Sequence, residues 1–128
     1  MKLNDVRYKD IGVHVLCSIF TVDKGVIKVL LIRRNNEPFK GKWALVGGAL
    51  YNDETIEEAM RREIKEKSGI EDLDLCFSSV NSRVDRSPVK RMIAVSYIGV
   101  LDKKSVDIHK ETLKASDSDW FNIDSIPE

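Results

Sequence analysis

Cysteine is scarce in this sequence: Cys17 and Cys76 are the two in 128 residues. That excludes a dense disulfide framework as the source of stability. Both lie in apolar, strand-like runs and are expected to be buried, reduced thiols. Long hydrophobic runs are also missing, so no segment reaches the roughly 20 apolar residues a membrane-spanning helix needs. The opening "MKLNDVRYKD" has no apolar stretch of signal-peptide type. A cytoplasmic protein is therefore expected. An excess of one charge is absent too. Lys+Arg and Asp+Glu each number 21, leaving a formal net charge of +0. Such a balance gives no electrostatic support for direct nucleic-acid binding by the domain as a whole. What is present suits a globular fold: 42% of residues are hydrophobic and 33% charged. The length suits one domain with a real core.

"GVHVLCSIFTV" (Gly12 to Val22) and "VIKVLLIRR" (Val26 to Arg34) read as strands joined by a hairpin at "DKG". "NNEPFKGK" (Asn35 to Lys42) reads as a loop. "WALV" (Trp43 to Val46) reads as a short strand stopped by Gly47 and Gly48. Two further strands are expected over Leu73 to Val80 and Arg91 to Leu101, and a last one over Trp120 to Ile123. Between them, Asp102 to Asp119 is a long charged segment of the kind that is often functional. Many strands around one clear helix predict a mixed sheet with helical cover. Asp124, Ser125 and Pro127 look like the opening of another helix. One sheet face is then expected to be under-covered, awaiting more chain or a partner.

The helix is the informative element. Thr55 with Glu58 fits a capping box, with Asn52 and Asp53 as competing caps. Gly69 suits the left-handed position past the end. At about 100° per residue, Ile56, Ala59, Met60 and Ile64 form one apolar stripe. Glu63 and Lys67 fall inside that stripe, and Glu66 lies on its margin beside Arg62. A solvated helix keeps its charges on the far face, as Glu57, Glu58 and Arg61 do. Burying a carboxylate without a partner is costly. Two explanations stand side by side. One is a Glu63–Lys67 ion pair at i, i+4 spacing, worth roughly 0.2–0.5 kcal/mol. The other is a divalent cation held by Glu63 and Glu66, since hard oxygen ligands suit magnesium. Gly47 and Gly48 just ahead would let backbone approach a metal or phosphate, although paired glycines also make ordinary turns.

Gly48, Glu54, Arg62, Glu63, Ile64, Glu66, Gly69 and Ile70 match the pattern G-x5-E-x7-R-E-U-x-E-E-x-G-U, with U aliphatic. The stretch thus resembles the Nudix box. The resemblance implies an α/β fold, the Nudix α/β/α sandwich with a mixed sheet, filling residues 1–128 as a single domain. It implies hydrolysis of a nucleoside diphosphate linked to another moiety. Catalytic roles would fall to Glu63, Glu66, Arg62 and Glu54. Glu63, Glu66 and the Gly47 carbonyl would hold Mg²⁺ or Mn²⁺. Segments 38–48 and 85–101 are similar to ADP-ribose pyrophosphatase-like members and to Nudix-related transcriptional regulators of NAD metabolism. An ADP-ribose-like ligand and a homodimer are therefore expected. The alternative is a non-catalytic sensor domain for the same ligand. One position departs: Lys67 stands where the family has its second consecutive glutamate, which puts metal binding and turnover in doubt. The same ammonium could attract a diphosphate directly. Gly48, Arg33, Arg91 and Lys67 are the candidate substrate contacts, with Arg86 as a further phosphate candidate. For the arginines, a solubilising surface charge is the competing role. Glu111 and Asp117 are candidate general bases. Trp43, Phe39 and Tyr97 could stack on a base, with core packing as the competing role.

Overall fold

The structure, a computed structural model, describes residues 2–37, 39–88, 90–102 and 115–126. The strands are β1 (Gly12–Asp23), β2 (Val26–Arg34), β3 (Trp43–Ala44), β4 (Val46–Ala49), β5 (Cys76–Asn81), β6 (Met92–Val100) and β7 (Ala115–Asn122). The helix α1 spans Ile56–Ser68 between β4 and β5. Lys24 and Gly25 both take positive φ, 53° and 80°. That is the tight two-residue turn whose twist matches the antiparallel β1–β2 pair. The sheet runs β3-β2-β1-β6-β5, with β4 beside β1 and β7 beside β2. The β1–β6 pair is parallel and the others antiparallel, so the sheet is mixed as expected. None of the described helices is long and apolar enough to cross a membrane.

Alternation along β1 sends Val15, Cys17 and Ile19 to the face covered by α1. There they join Leu30, Ile32, Val46, Ala59, Met60 and Ile64 in the core. The opposite face carries a groove lined by Phe20, Val29, Leu31, Trp43, Leu45 and Ile126. Trp43 meets Phe121 edge-on at 4.9 Å, and Tyr97 meets Phe77 at 6.3 Å, so both rings pack within the fold. Phe39 is exposed.

Four expectations need correction. "WALV" is not one strand stopped by glycines: it breaks at Leu45, and β4 runs through Gly47 and Gly48 against Leu16 and Val15. Lacking Cβ atoms, these glycines let β4 lie where side chains would collide with Leu16 and Glu63. The last strand starts well before Trp120, because residues 117–119 already pair with β2. Leu73 precedes β5 rather than opening it, and is buried against Gly99. Cys76 is exposed, because β5 is an edge strand whose residues are all exposed. Cys17 is buried as expected, and burial pushes its thiol up to about 12.

Candidate functional site

Thr55 caps α1: its hydroxyl accepts from the Glu58 amide at 3.1 Å. The Glu58 carboxylate accepts from the Thr55 amide at 2.9 Å, completing the box. Gly69 closes the helix at φ 80°. These ends fix the rotation of α1, and with it the stripe that faces β4. Glu63 and Lys67 are on that stripe, 3% and 8% exposed. Burial of both charges is therefore real, and each has its compensation.

Arg62 is the hub. Its Nε and Nη2 grip Glu54 in a two-pronged contact, at 2.9 Å and 2.7 Å. Nη1 reaches Glu63 Oε1 at 2.5 Å and Glu66 Oε2 at 3.4 Å. Nη2 also donates to the Ala49 carbonyl at 2.9 Å. The planar fork is what allows one side chain to serve three carboxylates. Hydrogen bonds to Glu54, reinforced by those to Glu63 and opposed by desolvation, hold the guanidinium protonated beyond its usual range. Tyr51 lies under it, with the guanidinium carbon 3.8 Å from the ring centroid. The Tyr51 amide donates to Glu54 at 2.8 Å, tying the loop before α1 to the same carboxylate.

Lys67 closes the other side. Its ammonium donates to the Gly47 carbonyl. It also lies 3.0 Å from Glu63 Oε2, an ion pair rather than a well-directed hydrogen bond. The Glu63 carboxylate thus rests between guanidinium and ammonium, directly over Gly48. A Cβ at Gly48 would come within 2.6 Å of Glu63 Oε2. The glycine exists at that point so that the helix carboxylate can sit on the strand.

The expected residues divide into two groups. Glu54, Arg62, Glu63, Glu66, Gly47, Gly48 and Lys67 come together as described. Arg33 and Arg91 do not join them. Arg33 donates to the Gly41 carbonyl at 3.1 Å, steadying the loop after β2. Arg91 donates to the carbonyls of Ser82 and Arg83 at 2.8 Å and 3.0 Å, steadying the loop before β6. Asp117 pairs across the sheet with Arg33, and its carboxylate accepts from the Ser118 amide at 2.8 Å. Glu111 lies outside the described residues. Two residues at the site were missed, Tyr51 and His14. His14 sits opposite Ala49 on β1, and its Nδ1 is 3.1 Å from Arg86 Nη1. Burial lowers its pKa, as do Arg86, Arg34 and Lys67, while Glu63 opposes them. No local pattern marks His14, because the β1–β4 register brings it there.

A profile of the NUDIX domain matches residues 11–128. The chain belongs to the Nudix family. It is 32% identical to the ADP-ribose pyrophosphatase of Methanocaldococcus jannaschii, over 100% of this chain and 74% of that protein. It is 30% identical to the ADPR responsive transcriptional repressor NtrR of Acinetobacter baylyi, over 84% of this chain and 43% of that protein. A MutT/nudix family protein from Enterococcus faecalis superposes with a TM-score of 0.83 at 28% identity, covering 95% of this chain and 47% of that one. The likeness to a pyrophosphatase over the whole of this chain supports a Nudix hydrolase.

Nudix hydrolases generally use divalent metals, and the donors of this Nudix helix can be tested for fit. Gly47 O and Glu63 Oε2 both face the Lys67 ammonium. Glu63 Oε1 and Glu66 Oε2 both face Arg62. Among the described residues, no group of three or more His, Cys, Asp or Glu side chains is arranged to hold a metal ion. The set as it stands fits an ammonium at Gly47 and Glu63, and does not fit a divalent cation there.

Proposed function

We propose that this Nudix domain binds an ADP-ribose-like nucleoside diphosphate derivative in the cradle of β4 and α1, and hydrolyses its diphosphate slowly. The observation that carries this reading is the Arg62 hub, which holds Glu54, Glu63 and Glu66 together beside Gly47 and Gly48. The names of the relatives support the ligand class. A divalent cation, in family members that bind one, would supply charge neutralisation for a diphosphate under attack by water. In this chain Arg62 keeps the carboxylates in place, and Lys67 supplies one fixed positive charge where the family has an acid. Arg86, placed at His14, extends the positive charge beyond the cradle. A single ammonium neutralises less charge than a divalent cation, so turnover is expected to be low.

A second reading is favoured by Lys67 itself: a sensor domain that binds the ligand without turning it over. One experiment separates the two. The domain is incubated with ADP-ribose and Mg²⁺ or Mn²⁺, AMP release is followed, and binding is titrated in parallel. AMP release supports the hydrolase, and binding without AMP supports the sensor. Absence of both rejects the ADP-ribose assignment.

A further inference from the structure

We infer that the Lys67 ammonium is a built-in substitute for a divalent cation, so that the cradle excludes the metal and takes its diphosphate ligand without one. The position argues first. Lys67 lies on the core-facing stripe of α1, 8% exposed, where a solvated lysine would not be placed. Its Nζ faces a backbone carbonyl, Gly47 O, and a buried carboxylate oxygen, Glu63 Oε2. Oxygen pairs of that kind are what a hard cation would otherwise take. The backbone holds the lysine there. Ser118 Oγ of β7 donates to the Lys67 carbonyl at 3.2 Å, and the Gly69 amide donates to Lys65 O at 2.9 Å.

Charge argues second. Glu54, Glu63 and Glu66 face Arg62 and Lys67, so the ammonium cuts the cluster from two net negative charges to one and weakens its hold on a divalent cation. A divalent cation added beside the ammonium would meet repulsion from it in a poorly hydrated site. Lys67→Glu would leave four carboxylates around one guanidinium, a strongly negative cluster with Gly47 O uncovered. That is a site a divalent cation would fill. Glu63 argues third. One carboxylate oxygen meets Arg62 and the other meets Lys67, so its burial is already compensated. The fold needs no metal to seat this residue.

The diphosphate half of the inference rests on the ADP-ribose-type reading above, and the metal half does not. Two measurements keep them apart. First, Mn²⁺ is titrated into wild type, Lys67→Glu and Lys67→Gln, with free Mn²⁺ read by electron paramagnetic resonance. Each variant is first checked for a cooperative melt. Wild type should leave the Mn²⁺ signal as in buffer. Lys67→Glu should remove one equivalent with at least tenfold tighter binding than wild type. Lys67→Gln, which removes the ammonium without adding a carboxylate, should bind more weakly than Lys67→Glu and still more tightly than wild type. One equivalent bound equally by wild type and both variants overturns the inference. So does no binding by any of them, because Lys67 would then not be what keeps metal out. Second, ADP-ribose binding to wild type is measured by calorimetry in EDTA and in Mn²⁺. Equal affinities within about twofold support metal-free recognition, and binding seen in Mn²⁺ alone overturns it. If ADP-ribose binds in neither, the ligand assignment fails and the Mn²⁺ titration decides the substitution claim by itself.

Discussion

Gly48→Ala is the sharpest test of how the cradle is built. The backbone of Gly48 is ordinary strand, so by itself alanine should be harmless or stabilise by about 0.4–1 kcal/mol. The structure reverses that expectation. The new Cβ would lie 2.6 Å from Glu63 Oε2, well inside the carbon–oxygen contact distance. Glu63 cannot yield freely, because Arg62 holds one oxygen at 2.5 Å and Lys67 flanks the other at 3.0 Å. Overpacking a tight site costs about 1–3 kcal/mol. Pulling one member from a buried ion pair costs about 3–5 kcal/mol. Partial adjustment of the carboxylate makes about 2–4 kcal/mol a fair total. With a urea slope of about 2 kcal/mol/M, the unfolding midpoint should fall by about 1–2 M. The same substitution in a Glu63→Ala background should cost little, since the obstructing carboxylate is gone. The cycle should then show a coupling of about 2–4 kcal/mol, nearly the whole cost seen in wild type. A cost below about 0.5 kcal/mol, or an equal cost in both backgrounds, would refute the reasoning.

Other consequences follow from the same geometry. Arg62→Lys keeps the charge and loses the fork, so urea denaturation should show a loss of about 2–3 kcal/mol. Thr55→Ala removes the helix cap and should cost about 1 kcal/mol, a fall of about 4 °C in the melting midpoint. Arg86→Ala should weaken ADP-ribose binding about tenfold by calorimetry, near 1.4 kcal/mol, with the melting midpoint little changed. His14 has a folded pKa below its unfolded value near 6.5. Its contribution is therefore complete above about pH 6.5 and is lost as pH falls through the lowered value. His14→Gln should flatten the stability slope measured just below pH 6.5, and an unchanged slope would contradict the burial of the imidazole beside Arg86, Arg34 and Lys67.

What was legible in the sequence was what local pattern encodes. The Thr55–Glu58 cap, the Gly69 stop and the odd burial of Glu63 and Lys67 all follow from spacing on one helix. So does the "DKG" hairpin, whose two central residues take the φ their turn demands. What was not legible depends on register between distant segments. Gly47 and Gly48 read as a strand stop because glycine weakens strands in isolation. Their place opposite Leu16 and Val15, under Glu63, appears when β1, β4 and α1 assemble. His14 is invisible for the same reason. Arg33 and Arg91 suit phosphate by the geometry of their side chains, but residue type does not encode direction, and both are tied to loop carbonyls. The two explanations weighed for Glu63 were an ion pair with Lys67 and a cation site. The pair is present, and it uses the Gly47 carbonyl that the cation site would need.

The claim that the Gly47–Gly48 strand and the Arg62–Lys67 helix form the ligand site is tested most directly by amide chemical-shift mapping with ADP-ribose. The largest shifts should fall on Gly47, Gly48 and residues 62–67, with a smaller response at His14 and Arg86. An unresponsive cradle, or shifts gathered instead on the apolar groove of Phe20, Val29 and Trp43, would contradict the account.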